Sequence, residues 1–178
     1  MERIKLTMEQ LGRISVEEFK KEAKTPIVLV LDNIRSMSNI GSMFRTADAF
    51  RLERIFLCGI TAVPPHREIN KTALGATQSV DWQYKESTVD CVKSLKENGY
   101  QVFSLEQTEN SVMLQDFKFS GNKTAIVLGN EVDGVQHEVI DVCDEVIEIP
   151  QFGTKHSFNV SVSCGIVLWE MIKQIKFL

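Results

Sequence analysis

Pro26-Ile27-Val28-Leu29-Val30-Leu31-Asp32-Asn33 is a run of branched apolar residues, opened by a proline and closed by two turn-forming polar residues. A run without a polar face suits a strand covered on both sides, as in a parallel sheet between helices. Outward from it, Thr124-Ala125-Ile126-Val127-Leu128 before Gly129 has the same character. Arg54 to Cys58 before Gly59, and Val146 to Ile149 before Pro150, are shorter versions of it. Tyr100 to Leu105 reads as a further strand and Val80 to Lys85 as a less regular one. Helices are expected over Asn39–Arg51, over a segment capped by Ser87 and Asp90 and ended by Asn98-Gly99, and over Ser157–Ile175. The last is apolar almost all round in its first half, which predicts burial on several sides. Strands alternating with helices predict an α/β domain with a mainly parallel sheet and flanking helices.

The chain has 178 residues, 43% of them apolar and 25% charged, enough for a core without disulfides or metal. Residues 1–25 form a polar lead segment in which Ser15 and Glu18 can make a capping box; residues 26–178 form the domain proper. Charges of both signs in the lead segment exclude a secretory signal, and no apolar run reaches membrane-spanning length, so a cytoplasmic location is expected. Cys58, Cys91, Cys143 and Cys164 are scattered singly, as are His66, His137 and His156, which predicts free thiols and no metal site. A net charge of −4 argues against indiscriminate nucleic-acid binding but leaves room for a local basic patch. There is no internal repeat or linker.

Ligands of open α/β sheets bind at the carboxyl ends of strands, and three such ends carry unusual residues. After the first strand, Asn39 is placed to cap a helix, Gly41 allows something close to its first turn, and Arg45 follows one and a half turns in. A cap, a packing glycine and a surface arginine would explain these equally well. After Leu128, two glycines bracket the carboxylates of Glu131 and Asp133, in Gly129-Asn130-Glu131-Val132-Asp133-Gly134. That suits either a solvated turn or a loop whose backbone approaches a ligand. It is neither a G-x-G-x-x-G fingerprint nor a phosphate loop with its lysine, so dinucleotide and nucleoside triphosphate binding are disfavoured. After Ile149, Ser157 is a candidate N-cap, and Asn159, Ser161 and Ser163 make the opening turns of an apolar helix polar. These residues either satisfy neighbouring backbone groups or face a ligand.

Taken together, the three segments resemble the three motifs of the SpoU (TrmH-like) branch of the SPOUT RNA methyltransferases. N-x-G-x-x-x-R-T-A is matched by Asn39, Gly41, Arg45, Thr46 and Ala47, and L-G-N-E-x-x-G by Leu128 to Gly134. I-P-x-x-G followed by S-L-N-V-S-V-A is matched from Ile149 to Ser163, with Phe158 for the usual leucine and Ser163 for the usual alanine. The resemblance covers about residues 26–175. It implies a carboxyl-terminal deep trefoil knot, which general topology rules would not suggest, a homodimer, and S-adenosylmethionine bent into the knotted loops. It places cofactor contacts at Leu105, Leu128, Gly129, Ile149, Gly153, Phe158 and Asn159, and the catalytic constellation at Arg45, Asn39, Glu131, Ser157 and Asn159.

The implied reaction is methyl transfer to a ribose 2′-hydroxyl of RNA, with tRNA favoured over rRNA because compact members often act on tRNA. Such a reaction needs alignment of oxygen, methyl carbon and sulfur, and stabilisation of the developing alkoxide. A guanidinium keeps its proton near neutrality, so Arg45 is expected as an electrostatic partner of the 2′-oxygen more than as a base. Glu131 and Asn39 would orient it, and Ser157 and Asn159 would hold the loop and the ribose. Arg35 and Lys155 are the expected RNA contacts. The rival classes are an inert RNA-binding or ribosome-assembly protein on the same fold, a base or small-molecule methyltransferase, and a generic nucleotide-binding domain.

Overall fold

A computed structural model describes residues 3–7 and 9–177. The elements run α1 (Val16–Lys21), β1 (Thr25–Asp32), α2 (Met37–Ala49), β2 (Leu52–Cys58), α3 (Arg67–Ala73), α4 (Ala76–Ser79) and β3 (Trp82–Lys85). They continue with α5 (Thr88–Glu97), β4 (Gln101–Leu105), β5 (Val112–Met113), β6 (Thr124–Leu128), α6 (His137–Ile140), β7 (Glu145–Glu148) and α7 (Val160–Lys176). The strands form one sheet in the order β3-β2-β1-β6-β4-β7-β5, and every pairing is parallel.

The run of residues 26–32 lies inside this sheet as β1, between β2 and the central strand β6. Strand residues alternate between faces, and both faces of β1 are covered. Ile27, Leu29 and Leu31 pack with Ile40, Met43 and Phe44 of α2 and with Val167, Leu168 and Met171 of α7. Val28 and Val30 pack on the other side with Cys91, Val92 and Leu95 of α5 and Val139 of α6. Each fully buried side chain of this size contributes on the order of 1.5–3 kcal/mol, and the two layers together fix the strand register.

Several boundaries differ from the sequence reading, each for a local reason. Asn39 is not the cap of α2; Ser36 is, its hydroxyl accepting from the Asn39 amide at 3.2 Å, and the helix starts at Met37. Ser157 likewise does not cap α7. Asn159 does so, accepting from the amides of Ser161 and Val162. Val80 closes the short helix α4 and does not open the strand, which begins at Trp82. The capping box at Ser15–Glu18 and the Ser87 cap of α5 form as expected. Gly41 serves packing: a Cβ there would collide with Thr72 Oγ1 and the Ile69 carbonyl of α3, an element with too few apolar residues to show in the pattern. Helix α7 is buried along one face only, and Val162, Trp169 and Phe177 remain about half or more exposed.

Among the described residues no helix is long and apolar enough to cross a membrane, and no cluster of side chains could hold a metal ion. All four cysteines are free. Burial pushes the Cys164 thiol up to about 12, far from nucleophilic use.

Candidate functional site

The carboxyl ends of β4, β6 and β7 surround a cavity of about 520 Å3, walled by apolar side chains of Leu105, Leu128, Ile149 and Phe158 and by the backbone of Gly129–Gly134. That size lies within the range of small-molecule sites, as does the mixture of apolar wall and a few polar groups.

The β6 loop is shaped by its own bonds. The Asn130 carboxamide oxygen accepts from the amides of Val132 and Asp133, both at 2.9 Å, and Asn130 and Gly134 exchange backbone bonds across the loop. Gly129 must lack a side chain because a Cβ would collide with the backbone of Gly134 and Val135. Gly134 adopts φ 70° and lies against the Glu106 carboxylate, where a side chain would suffer both strain and collision. The two glycines therefore serve the loop's own closure, and both also border the cavity.

This closure aims Glu131 at the start of α2. One carboxylate oxygen accepts from Asn39 Nδ2 at 2.8 Å and the Ser36 amide at 3.1 Å; the other accepts from the Arg35 amide at 3.2 Å. The positive end of the helix macrodipole favours an anion at this place. What burial Glu131 has opposes its charge, but these donors outweigh it and hold the carboxyl below the usual glutamate range.

From Asn39 the network continues to α7. Asn39 Oδ1 accepts from Asn159 Nδ2 at 3.1 Å, and Asn159 Oδ1 in turn accepts from the Ser161 hydroxyl at 2.6 Å while capping the helix. Glu131, Asn39 and Asn159 thus join three strand ends that are distant in sequence. The acceptor roles are used up in one direction, which fixes the orientation of both amides.

The remaining predicted residues sit differently. Ser157 lines the cavity but makes no hydrogen bond among the described residues. Leu105, Leu128, Gly129, Ile149, Phe158 and Asn159 all border the cavity, whereas Gly153 does not. Arg45 is exposed on α2, outside both cavity and network, and has no partner among the described residues. Arg35 pairs with Asp133 at 3.2 Å with both side chains more than half exposed, and Lys155 is exposed and unpaired among the described residues.

Sequence reasoning missed the fourth wall. Glu106, just after β4, accepts from the amides of Gln107 and Val135, and Gln107 Nε2 donates to the His156 carbonyl at 2.8 Å. Gln107 thereby pins the β7 loop to the end of β4. The only signal available was the position of both residues at a strand's carboxyl end.

A family profile described as the SpoU rRNA Methylase family matches residues 26–169. The 23S rRNA (guanosine-2′-O-)-methyltransferase RlmB of Vibrio cholerae is 29% identical over 165 residues, covering 93% of this chain and 66% of the relative. The chain thus spans just under two thirds of that relative's length. The tRNA (guanosine(18)-2′-O)-methyltransferase of Aquifex aeolicus is 29% identical over 163 residues, covering 89% of this chain and 74% of the relative. Among solved structures, the AdoMet-bound rRNA methyltransferase from Sinorhizobium meliloti superposes with a TM-score of 0.79 at 23% identity, covering 90% of this chain and 61% of that one. At that identity the likeness establishes the fold.

Proposed function

Because the chain belongs to the SpoU rRNA methylase family, we propose that it transfers a methyl group from S-adenosylmethionine to a ribose 2′-hydroxyl of RNA. The observation that carries this reading is the hydrogen-bonded chain Glu131–Asn39–Asn159 at the mouth of the cavity. An inert RNA-binding protein would have no need of three polar groups so oriented beside an open pocket.

The cavity suits the cofactor. Leu105, Leu128, Ile149 and Phe158 offer apolar walls for an adenine, the backbone of the β6 loop offers polar groups, and the carboxylates of Glu106, Glu131 and Asp133 favour a cationic sulfonium. Bound there, S-adenosylmethionine would supply an electrophilic methyl carbon. Gly153 lies outside the wall.

Glu131 holds the Asn39 carboxamide and the start of α2 in place, and Asn39 fixes Asn159 at the head of α7. Ser157, with its hydroxyl uncommitted on the cavity wall, is available to the target ribose. Arg45, exposed on α2, is free to meet the 2′-oxygen or an adjacent phosphate once RNA is bound. Lys155 and, by exchange of its Asp133 partner, Arg35 would contact phosphates. The named relatives divide between rRNA and tRNA, so the substrate is RNA of either class, and the preference for tRNA drawn from the sequence is not kept.

A homodimer fits the exposed stripe of α7, where Trp169 lies between Phe50 and Phe177 with ring centroids 6.5 and 6.3 Å away and remains 52% exposed. The carboxyl-terminal trefoil knot is proposed on the family membership alone.

The test is transfer of a tritiated methyl group to RNA, with nucleoside mass spectrometry placing the methyl on ribose or base. Arg45→Ala is expected to keep cofactor affinity by calorimetry and to lose transfer. Absence of cofactor binding by the wild type would favour the inert reading, and full transfer by the variant would remove Arg45 from the mechanism.

A further inference from the structure

Phe152 is 95% exposed, the most exposed large apolar side chain among the described residues. It is no part of a loose tail. It follows Gln151 on the cavity wall and precedes His156, whose carbonyl is held by Gln107 at 2.8 Å, and Asn159 anchors the far end of the same loop. Lys155 and His156 beside it are exposed, with no side-chain hydrogen bond or ion pair among the described residues. None of the carboxylates around the cavity pairs with Lys155 or His156: Glu131 accepts from Asn39 and two amides, Glu106 accepts from two amides, and Asp133 lies beside Arg35. An uncovered aromatic ring and uncompensated side chains able to meet a phosphate thus share a short loop that leaves the cavity wall at Gln151 and is tied down at His156 and Asn159.

This combination is what unpaired nucleotides use, a base stacking on the ring and its phosphate meeting a cation. We propose that Phe152 is a stacking platform for an unpaired nucleobase of the RNA, with Lys155 contacting the adjoining phosphate, so that the neighbouring ribose is presented to the cavity. The proposal rests on the RNA reading above for its substrate class, though not on methyl transfer itself.

The probe is a single-stranded RNA 15-mer of mixed sequence with one central 2-aminopurine, whose emission falls when the base stacks. At low salt the wild type is expected to bind it and quench the emission. Phe152→Ala is expected to weaken binding about tenfold, the usual worth of one stacked base, and to lose the quenching. Phe152→Trp should keep both, and Phe152→Leu should lose the quenching. Calorimetry with S-adenosylmethionine should be unchanged in all three. Binding by Phe152→Ala within twofold of wild type with quenching intact would overturn the proposal, as would failure of the wild type to bind. A change of oligomeric state in Phe152→Ala by sedimentation would assign the ring to a second copy of the chain, which also overturns it. Loss of binding and quenching in Phe152→Ala from a protein that transfers no methyl would leave the platform standing and the methyltransferase reading refuted.

Discussion

Residues 129–134 and residues 150–158 border the same cavity and are held in different ways. The first loop is closed on itself by the Asn130 side chain, by backbone bonds to Gly134 and by two glycines that allow no side chain. The second is tied toward its carboxyl end, by Gln107 at the His156 carbonyl and by Asn159 at the helix, while residues 152–158 are exposed. One loop is preorganised, so that Glu131 meets α2 without further ordering. The other keeps side chains free to meet a large partner. A site that must hold a small cofactor and then admit a polymer needs both kinds of wall.

The sharpest way to break this contrast is to cut the bond between the rigid loop and α2. Glu131→Ala leaves the Asn39 amide and two backbone donors unpaired, and methyl transfer is expected to fall about 10²–10³-fold, the usual loss for one preorganised polar group. Glu131→Gln, which keeps an acceptor, should fall less. Equal rates for both variants in a single-turnover assay would mean that only bulk matters there.

A smaller effect is expected from Gly129→Ala. The added methyl has no room against Gly134 and Val135, so overpacking should cost about 1–3 kcal/mol, read as a fall in the urea midpoint. Gly153→Ala, with open space at the Cβ position, is the control in the looser loop and should leave the midpoint unchanged.

The smallest effect is a dependence on pH. The Glu131 carboxyl is held below the usual glutamate range, so its stabilisation is complete above that range and is lost as pH falls through the lower folded pKa. The stability difference between wild type and Glu131→Gln should close as the solution is acidified. Because the carboxylate is largely exposed, the difference should stay within about 1 kcal/mol. A difference that grows on acidification would reverse the sign assigned to the network.

The sheet and its polar strand ends were legible because β1 and β6 are too apolar to be anything but covered strands, and because Asn39 and Glu131 lie in the segments that follow such runs. The roles within the site were less legible. Capping depends on which of several adjacent Ser and Asn residues turns inward, and Ser36 and Asn159 do so where Asn39 and Ser157 were expected. Gly41 and Gly129 carry contacts made by residues far away or across a tight loop, which spacing does not encode. Gln107 acts through a backbone carbonyl 49 positions away, a partner that has no side-chain identity to read.

The place of β6 has a consequence for how the molecule is made. Val28 of β1 pairs with Ala125, almost a hundred residues later in the chain, and Val102 of β4 pairs with the same residue from the other side. A nascent chain can complete β3-β2-β1 early, yet one edge of its most apolar strand must wait until β6 leaves the ribosome. Such long-range parallel pairing folds slowly and leaves an unprotected edge meanwhile. The middle of the sheet cannot close until β6 arrives, with only β7 still to come, and a chain interrupted before residue 124 would carry the most aggregation-prone edge of the molecule uncovered.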